Sequence, residues 1–137
     1  GGNLIDAMVA ASFTISVERP QSTGIGGGGF LIYHDAQSKK NYAVDFRERA
    51  PLAARQNMFI RDGKADPKLS QNGALAVATP GLVAGLLEVH EKFGSLPLEK
   101  IMTPAIELAE NGFELYPEFQ RAIEHRKEIL LKDPDST

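Results

Sequence analysis

The sequence predicts an α+β fold built from a buried helix, a β-hairpin, a short strand and about three further helices. Nearly every position from Leu4 to Val17 is apolar or small, which is typical of a helix that its neighbours cover on most sides. Two runs of strand composition, residues 30–34 and 41–46, flank a polar turn at 35–39 and indicate an antiparallel hairpin. Proline and glycine residues then bound the later stretches of helical composition.

The sequence predicts where the first helix begins and where a short strand follows the hairpin. Asn3 offers a side-chain acceptor ahead of the first apolar run, so we expect it to cap the first helix. The chain after the hairpin is irregular apart from a turn at Asp62–Gly63. Residues 74–78 are predicted to form a short apolar strand.

The remaining helices follow that strand. Thr79 is expected to cap the next helix, with Pro80 at its first position. Pro104 predicts a kink or break in the helix that contains it, because proline lacks the backbone N–H. The three helices are predicted at about residues 81–93, 97–112 and 117–131.

Composition narrows the classes of function. The chain has 137 residues, 42% hydrophobic content and a formal net charge of −3, with the two signs interspersed. This pattern indicates a globular domain without the basic surface of a nucleic-acid-binding or membrane-surface protein. Cysteine is absent, so a thiolate nucleophile and a disulfide are excluded. The histidines are too scattered to predict a metal site, and nothing indicates a cofactor: they are His34, His90 and His125.

Both ends of the chain predict a segment of a longer protein. The chain starts at Gly1 without a methionine and begins a helix almost at once. Residues 133–137 have turn composition and resemble a connection rather than a terminus. We therefore expect residues 1–137 to form one incomplete domain, with any targeting signal upstream of Gly1.

A run of glycines separates the first helix from the hairpin. The run satisfies the dinucleotide-binding pattern G-x-G-x-x-G, but a helix precedes it and a strand follows, which reverses the order that nucleotide binding needs. We expect a structural role, in which backbone approaches backbone closely at the base of the hairpin. The glycines are Gly24, Gly26, Gly27, Gly28 and Gly29.

Arg47 is the candidate for substrate binding. Side chains alternate along a strand, so Arg47 shares a face with Asp45 and points away from Val44 and Phe46. A guanidinium offers parallel donors to a carboxylate and keeps its charge when water is removed. From the residues alone, an ion pair of Arg47 with Asp45 or Glu48 at the strand edge is the commoner alternative.

Several motifs occur along the chain: Gly1-Gly2-Asn3-Leu4-Ile5-Asp6-Ala7, the stretch Pro20-Gln21-Ser22-Thr23 with the glycine run and Phe30, Asp45-Phe46-Arg47-Glu48 with Ala50-Pro51, Met58-Phe59, Ala76-Val77 with Pro80-Gly81, Phe93-Gly94-Ser95-Leu96-Pro97, Pro104-Ala105-Ile106 with Leu108-Ala109, and Asn111-Gly112-Phe113. Together they cover essentially the whole chain and closely resemble the start of the large subunit of gamma-glutamyltransferases. The resemblance implies part of an N-terminal nucleophile hydrolase αββα sandwich, in which two antiparallel sheets lie between helical layers. It also implies a precursor that cuts itself and exposes a threonine nucleophile downstream of Thr137, on a small subunit.

The implied reaction transfers a gamma-glutamyl group from glutathione or related gamma-glutamyl amides to water or an acceptor amine. Arg47 then corresponds to the arginine that binds the substrate α-carboxylate, and no catalytic residue lies in this segment, which should be inactive alone. Asp45, on the same strand face, and Glu48 are the candidates for orienting Arg47. Arg49 departs from the small or apolar residue expected there; a side chain that faces solvent is the commoner interpretation, and an altered substrate or acceptor preference is the alternative.

The resemblance leaves alternatives open. Relatives on this scaffold act on poly-gamma-glutamate or beta-lactam side chains, and a non-catalytic relative is a further possibility. The family also implies a periplasmic, secreted or extracellular-facing protein.

Overall fold

The computed structural model describes residues 1–132 and 134, which fall into two compact units. The first unit comprises residues 1–24 and 93–137, and the second comprises residues 25–92. In chain order the helices are α1 (Leu4–Glu18), α2 (Leu82–Phe93), α3 (Leu98–Asn111) and α4 (Pro117–Leu130), and the strands are β1 (Phe30–Asp35), β2 (Lys40–Asp45), β3 (Ile60–Arg61) and β4 (Lys64–Ala65). Apart from Pro134, the turn predicted at 133–137 lies outside the described residues.

The first unit is built on α1, which packs against α3. Asn3 accepts hydrogen bonds from the backbone N–H groups of Ile5 and Asp6, so the predicted cap is confirmed. Apolar side chains buried in this unit recur every four residues along each helix: Ile5, Val9 and Phe13 on α1, and Ile101 and Ala105 on α3.

None of the described helices is long and apolar enough to cross a membrane.

Helix α1 is buried or half-buried on most sides, as the sequence predicts. Leu4 is 70% exposed and Ile15 is 41% exposed, and Ala7 and Ala11 are exposed as well. These four residues are spaced three or four apart, so they lie along a single face of the helix.

Asp6 ties the start of α1 to the segment that precedes α3. Its side chain is only 2% exposed. The carboxylate accepts hydrogen bonds from the backbone N–H groups of Asn3 (2.8 Å), Ser95 (2.9 Å) and Leu96 (3.2 Å), and from the Ser95 hydroxyl (2.5 Å). Burial raises the pKa of this carboxyl, but these hydrogen bonds outweigh burial and hold the pKa well below its ordinary value of 3.8. Asp6 is therefore a buried charge with satisfied hydrogen bonds.

Helix α3 runs without interruption past Pro104, so the predicted break does not occur. Pro104 costs the helix one hydrogen bond, because it has no N–H to donate to the carbonyl four residues earlier. The helix ends at Asn111, and Gly112 follows with a φ of 77°, a conformation that glycine adopts without strain.

The Tyr116 hydroxyl joins the end of α1 to the start of α4. It donates to the Glu18 carbonyl at 3.0 Å and accepts from Nε2 of Gln21 at 2.8 Å. The guanidinium of Arg19 lies 5.7 Å from the centroid of the Tyr116 ring. Helix α4 begins at Pro117, as the sequence predicts.

The second unit contains the predicted hairpin. Strands β1 and β2 pair antiparallel, with a register from Phe30↔Asp45 to Asp35↔Lys40. Exposure alternates along both strands, so that Tyr33 and Tyr42 lie on the less exposed face and stack with their ring centroids 6.1 Å apart. The predicted antiparallel pairing and face assignment are confirmed.

A second hairpin, β3–β4, surrounds the predicted turn at Asp62–Gly63. Both turn residues have positive φ, 52° at Asp62 and 74° at Gly63, the signature of a type I′ turn. The sequence predicts irregular flanks here, and this prediction is wrong, because strands of two residues are too short to show an alternating pattern.

Two predictions ahead of α2 are wrong. The predicted strand at 74–78 is a 3₁₀ turn at Ala74–Ala76. The predicted cap, Thr79, instead pairs through its backbone with Arg49, and α2 begins at Leu82. Gly81 occupies the cap position, since its carbonyl accepts the N–H of Gly85 at 2.9 Å.

Candidate functional site

Arg47 lies in the second unit, just beyond the end of β2. Backbone hydrogen bonds between Gly29 and Phe46, at 3.0 and 3.4 Å, extend the hairpin to the residue before Arg47. The alternation of exposure continues here: Asp45, Arg47 and Arg49 are exposed, whereas Phe46 and Glu48 are half-buried. Arg47 therefore projects from the face opposite Phe46, as the sequence predicts.

The Asp45 carboxylate fixes the main chain at Arg47. Oδ1 of Asp45 accepts the backbone N–H of Arg47 at 3.0 Å. Within the described part of the chain, the Arg47 guanidinium forms no ion pair with Asp45 or Glu48, so the commoner alternative of a strand-edge ion pair is not realised. Asp45 thus acts on the backbone of Arg47 rather than on its guanidinium.

The Arg47 guanidinium lies against Phe30. Its central carbon is 6.0 Å from the centroid of the Phe30 ring, at the outer limit of a cation–π contact. Phe30 pairs with Asp45 across the hairpin, which places its ring on the same face as Arg47. This contact leaves the N–H donors of the guanidinium available to an anion.

Part of the glycine run lies tightly against the segment that carries Arg47. An added Cβ at Gly28 would overlap the backbone of Phe46 and Glu48. An added Cβ at Gly29 would lie 2.9 Å from Cε2 of Phe46, closer than ordinary contact allows. The predicted close approach of backbone to backbone at the base of the hairpin is present at Gly28, whereas Gly29 lies against the Phe46 side chain.

The rest of the run behaves differently. An added Cβ at Gly24 or Gly26 would meet nothing within 4 Å. The Gly27 carbonyl accepts the N–H groups of Gly81 and Leu82, at 3.0 and 2.9 Å, and so satisfies donors at the start of α2. Because α1 precedes the run and β1 follows it, the structure has the reversed order that argued against nucleotide binding.

Two glycines that the sequence analysis did not assign to the site complete the enclosure of Phe46. An added Cβ at Gly81 would overlap the Phe46 carbonyl, and one at Gly85 would overlap Cβ and Cγ of the Phe46 side chain. Gly85 is buried within α2. A glycine inside a helix costs about 1 kcal/mol relative to alanine. The presence of Gly85 in a stretch of helical composition was therefore the sequence signal that another group packs closely there.

A cleft of about 220 Å³ opens beside this segment. Its walls come from the strand extension and the first turns of α2, and its charged residues are Asp45, Arg47, Arg49 and Glu88. Both arginines are exposed. The cleft is therefore bordered by two arginines and a carboxylate on the strand side and by a second carboxylate on α2, so groups of both signs are available to a small zwitterion.

Comparison with known proteins decides the family. The family model described as gamma-glutamyltranspeptidase matches residues 1–137. The chain belongs to the gamma-glutamyltranspeptidase family. Asp45-Phe46-Arg47-Glu48, the glycine run and Pro80-Gly81, which carry the resemblance in the sequence, are also the segments that meet at Phe46.

Individual gamma-glutamyltranspeptidase relatives agree with this assignment. The chain is 42% identical over 134 residues to glutathione hydrolase 3 of Arabidopsis thaliana and 46% identical over 117 residues to a glutathione hydrolase proenzyme of Pseudomonas aeruginosa. These matches cover 98% and 84% of the chain, but only 20% of each relative. The chain thus spans about a fifth of the length of these relatives.

A solved structure supports the fold. The chain superposes on Helicobacter pylori gamma-glutamyltranspeptidase with a TM-score of 0.92 and 44% identity, over 99% of this chain and 39% of that one. The predicted α+β class, as part of an N-terminal nucleophile hydrolase sandwich, is confirmed. The sandwich is represented in the described residues by two small antiparallel sheets and their helices.

Proposed function

We propose that the full-length protein transfers a gamma-glutamyl group from glutathione or a related gamma-glutamyl amide to water or an acceptor amine. Arg47 carries the proposal as the anchor for the substrate α-carboxylate. The supporting observation is that the Arg47 guanidinium is exposed and has no carboxylate partner among the described residues, while its backbone is held by Asp45.

The chemistry of Arg47 suits an α-carboxylate. A planar guanidinium places two N–H donors parallel to two carboxylate oxygens, and such charge-assisted pairs are roughly twice as strong as neutral hydrogen bonds. The guanidinium keeps its charge when substrate displaces water. Arg47 therefore fixes both the charge and the orientation of the gamma-glutamyl group.

The packing around Phe46 supports precise placement of this anchor. The glycines at 28, 29, 81 and 85 leave Phe46 no room to shift, and Arg47 is the next residue. Asp45, the residue before Phe46, accepts a hydrogen bond from the backbone N–H of Arg47. Catalysis gains when a substrate-holding group is positioned before binding, since the ordering cost is then already met by folding.

The reacting groups belong to the remainder of the polypeptide in this proposal. A threonine exposed by self-cleavage attacks the gamma-carbonyl carbon through its hydroxyl oxygen, and its proton passes by way of its α-amine to the departing amine as the amide carbon–nitrogen bond breaks. Water or an acceptor amine then attacks the ester carbon, and the threonine oxygen regains its proton. The segment 1–137 contributes binding and no reacting atom.

A direct test uses the full-length protein. Incubation with glutathione should release free glutamate, and mass spectrometry of the purified protein should show two subunits, the smaller beginning with threonine. A protein that remains a single chain and releases no glutamate from any gamma-glutamyl amide would contradict the proposal.

A further inference from the structure

The cleft beside Arg47 contains a second arginine that the anchoring of one carboxylate does not need. Arg49 is exposed and lines the same cleft. No carboxylate in the described part of the chain forms an ion pair with it. The cleft also contains the carboxylates of Asp45 and Glu88, and neither forms an ion pair with Arg49.

The backbone of Arg49 is held in place. Its N–H donates to the Thr79 carbonyl at 3.1 Å, and its carbonyl accepts the Thr79 N–H at 2.8 Å. Thr79 lies just ahead of α2, whose start is tied to the Gly27 carbonyl. Arg49 is thus fixed by main-chain atoms alone, and a change of its side chain leaves this pairing intact.

The spacing of the two arginines is set by the extended chain. Exposure alternates from Asp45 to Arg49, so Arg47 and Arg49 share one face. Two residues along an extended strand advance by about 6.5–7 Å. The two guanidiniums therefore offer a pair of anion sites at about that separation, with the latitude that long side chains allow.

A gamma-glutamyl amino acid carries two carboxylates at a matching distance. Its gamma-amide joins the glutamyl side chain to the nitrogen of the next amino acid, and the carbons on either side of a trans amide lie about 3.8 Å apart. Two more carbon–carbon bonds lead back to the glutamyl α-carbon, which puts the two carboxylate-bearing carbons about 6 Å apart in an extended substrate.

We propose that Arg49 binds the carboxylate of the amino acid attached to the gamma-glutamyl group, while Arg47 binds the carboxylate of the gamma-glutamyl group itself. This assignment rests on the proposed function. It makes gamma-glutamyl amino acids, including gamma-linked glutamate chains, the preferred substrate class. Glutathione is less suited, because the carbon next to its gamma-amide carries a peptide carbonyl in place of a free carboxylate.

The test compares matched substrates on the full-length enzyme. Gamma-glutamyl-alanine and gamma-glutamyl-alaninamide differ only in the second carboxylate, and glutamate release gives kcat/KM for each. Wild-type enzyme should prefer the carboxylate form by about tenfold, which corresponds to about 1.4 kcal/mol. Arg49→Gln should abolish this preference, because kcat/KM falls more for the carboxylate form than for the amide, and Arg49→Lys should restore part of it. Arg55→Gln, an exposed charge change outside the cleft, is the control and should keep the preference.

The outcomes separate the two proposals. An unchanged preference in Arg49→Gln, or an equal loss on both substrates, would overturn the role of Arg49 while leaving gamma-glutamyl transfer intact. Failure of the wild-type enzyme on both substrates would instead count against the proposed function. Measuring kcat/KM of Arg49→Gln on a gamma-linked glutamate oligomer shows the source of the second carboxylate. If kcat/KM falls only on the dipeptide, Arg49 binds free gamma-glutamyl amino acids. If kcat/KM falls on both substrates, Arg49 also binds gamma-linked chains.

Discussion

The contact between Gly85 and Phe46 predicts a substitution that should weaken folding and substrate binding together. A Cβ added at Gly85 would overlap Cβ and Cγ of Phe46 and would lie 2.6 Å from Cδ1. Rotating the Phe46 side chain cannot remove the overlap, because its Cβ is attached to the backbone. To reach ordinary contact at 3.4–4 Å, the strand extension must move by about 1 Å.

The expected cost follows from that movement. Overpacking of a filled site typically costs about 1–3 kcal/mol, and the better helix propensity of alanine offsets about 1 kcal/mol of this. Gly85→Ala should therefore lower the free energy of unfolding by up to about 2 kcal/mol in urea denaturation. Arg47 adjoins Phe46, and a misplacement of about 1 Å in a substrate-holding group can reduce catalytic efficiency by about 100-fold. A fall in kcat/KM for a gamma-glutamyl anilide should therefore accompany the loss of stability in the full-length enzyme.

Gly26→Ala is the matched control, since its added Cβ meets nothing within 4 Å. It should change stability by less than about 1 kcal/mol and leave kcat/KM unchanged. If Gly85→Ala unfolds and turns over substrate like the wild type, the proposed enclosure of Phe46 is wrong. If it is destabilised but fully active, the enclosure exists but does not position Arg47.

Two further predictions concern the first unit. Asp6→Asn should lower the melting temperature at neutral pH, because Asp6 accepts its hydrogen bonds as a carboxylate. The pKa of Asp6 in the folded protein is depressed below 3.8, so the carboxylate stabilises the fold fully above that pH and less as the pH falls further. The difference in melting temperature between variant and wild type should therefore narrow in acid. A difference that widens in acid would contradict the assignment. Tyr116→Phe should lower the free energy of unfolding by about 1 kcal/mol in urea denaturation, since its hydroxyl serves both Glu18 and Gln21; an unchanged midpoint would show that the contact contributes nothing.

Local patterns accounted for much of the candidate site. The alternation along residues 41–46 placed Arg47 opposite Phe46, because the period of a strand is two residues whatever surrounds it. The glycine run predicted close backbone approach, and Gly28 shows it. Asn3 was recognisable as a cap because its partners are its own near neighbours.

Features that depend on distant partners were not predictable from the sequence. Asp6 accepts hydrogen bonds from residues 89 and 90 positions away, and no local pattern indicates them. Gly85 meets Phe46 only after α2 docks against the strand extension. Residues 74–78 have strand composition, but with Thr79 paired to Arg49 the stretch before it closes into a 3₁₀ turn, so tertiary contacts override the local preference.

The most direct test of the account is the effect of Arg47→Ala on the full-length enzyme. A hydrogen bond to a charged group contributes about 1.5–3 kcal/mol, so kcat/KM for a gamma-glutamyl anilide should fall by roughly 10-fold to 150-fold. Arg47→Lys should recover only part of this loss, because an ammonium cannot donate two parallel hydrogen bonds. Arg55→Ala, which removes an exposed charge outside the cleft, should leave kcat/KM unchanged. A value for Arg47→Ala within a few-fold of wild type would contradict the assignment of Arg47 as the substrate anchor.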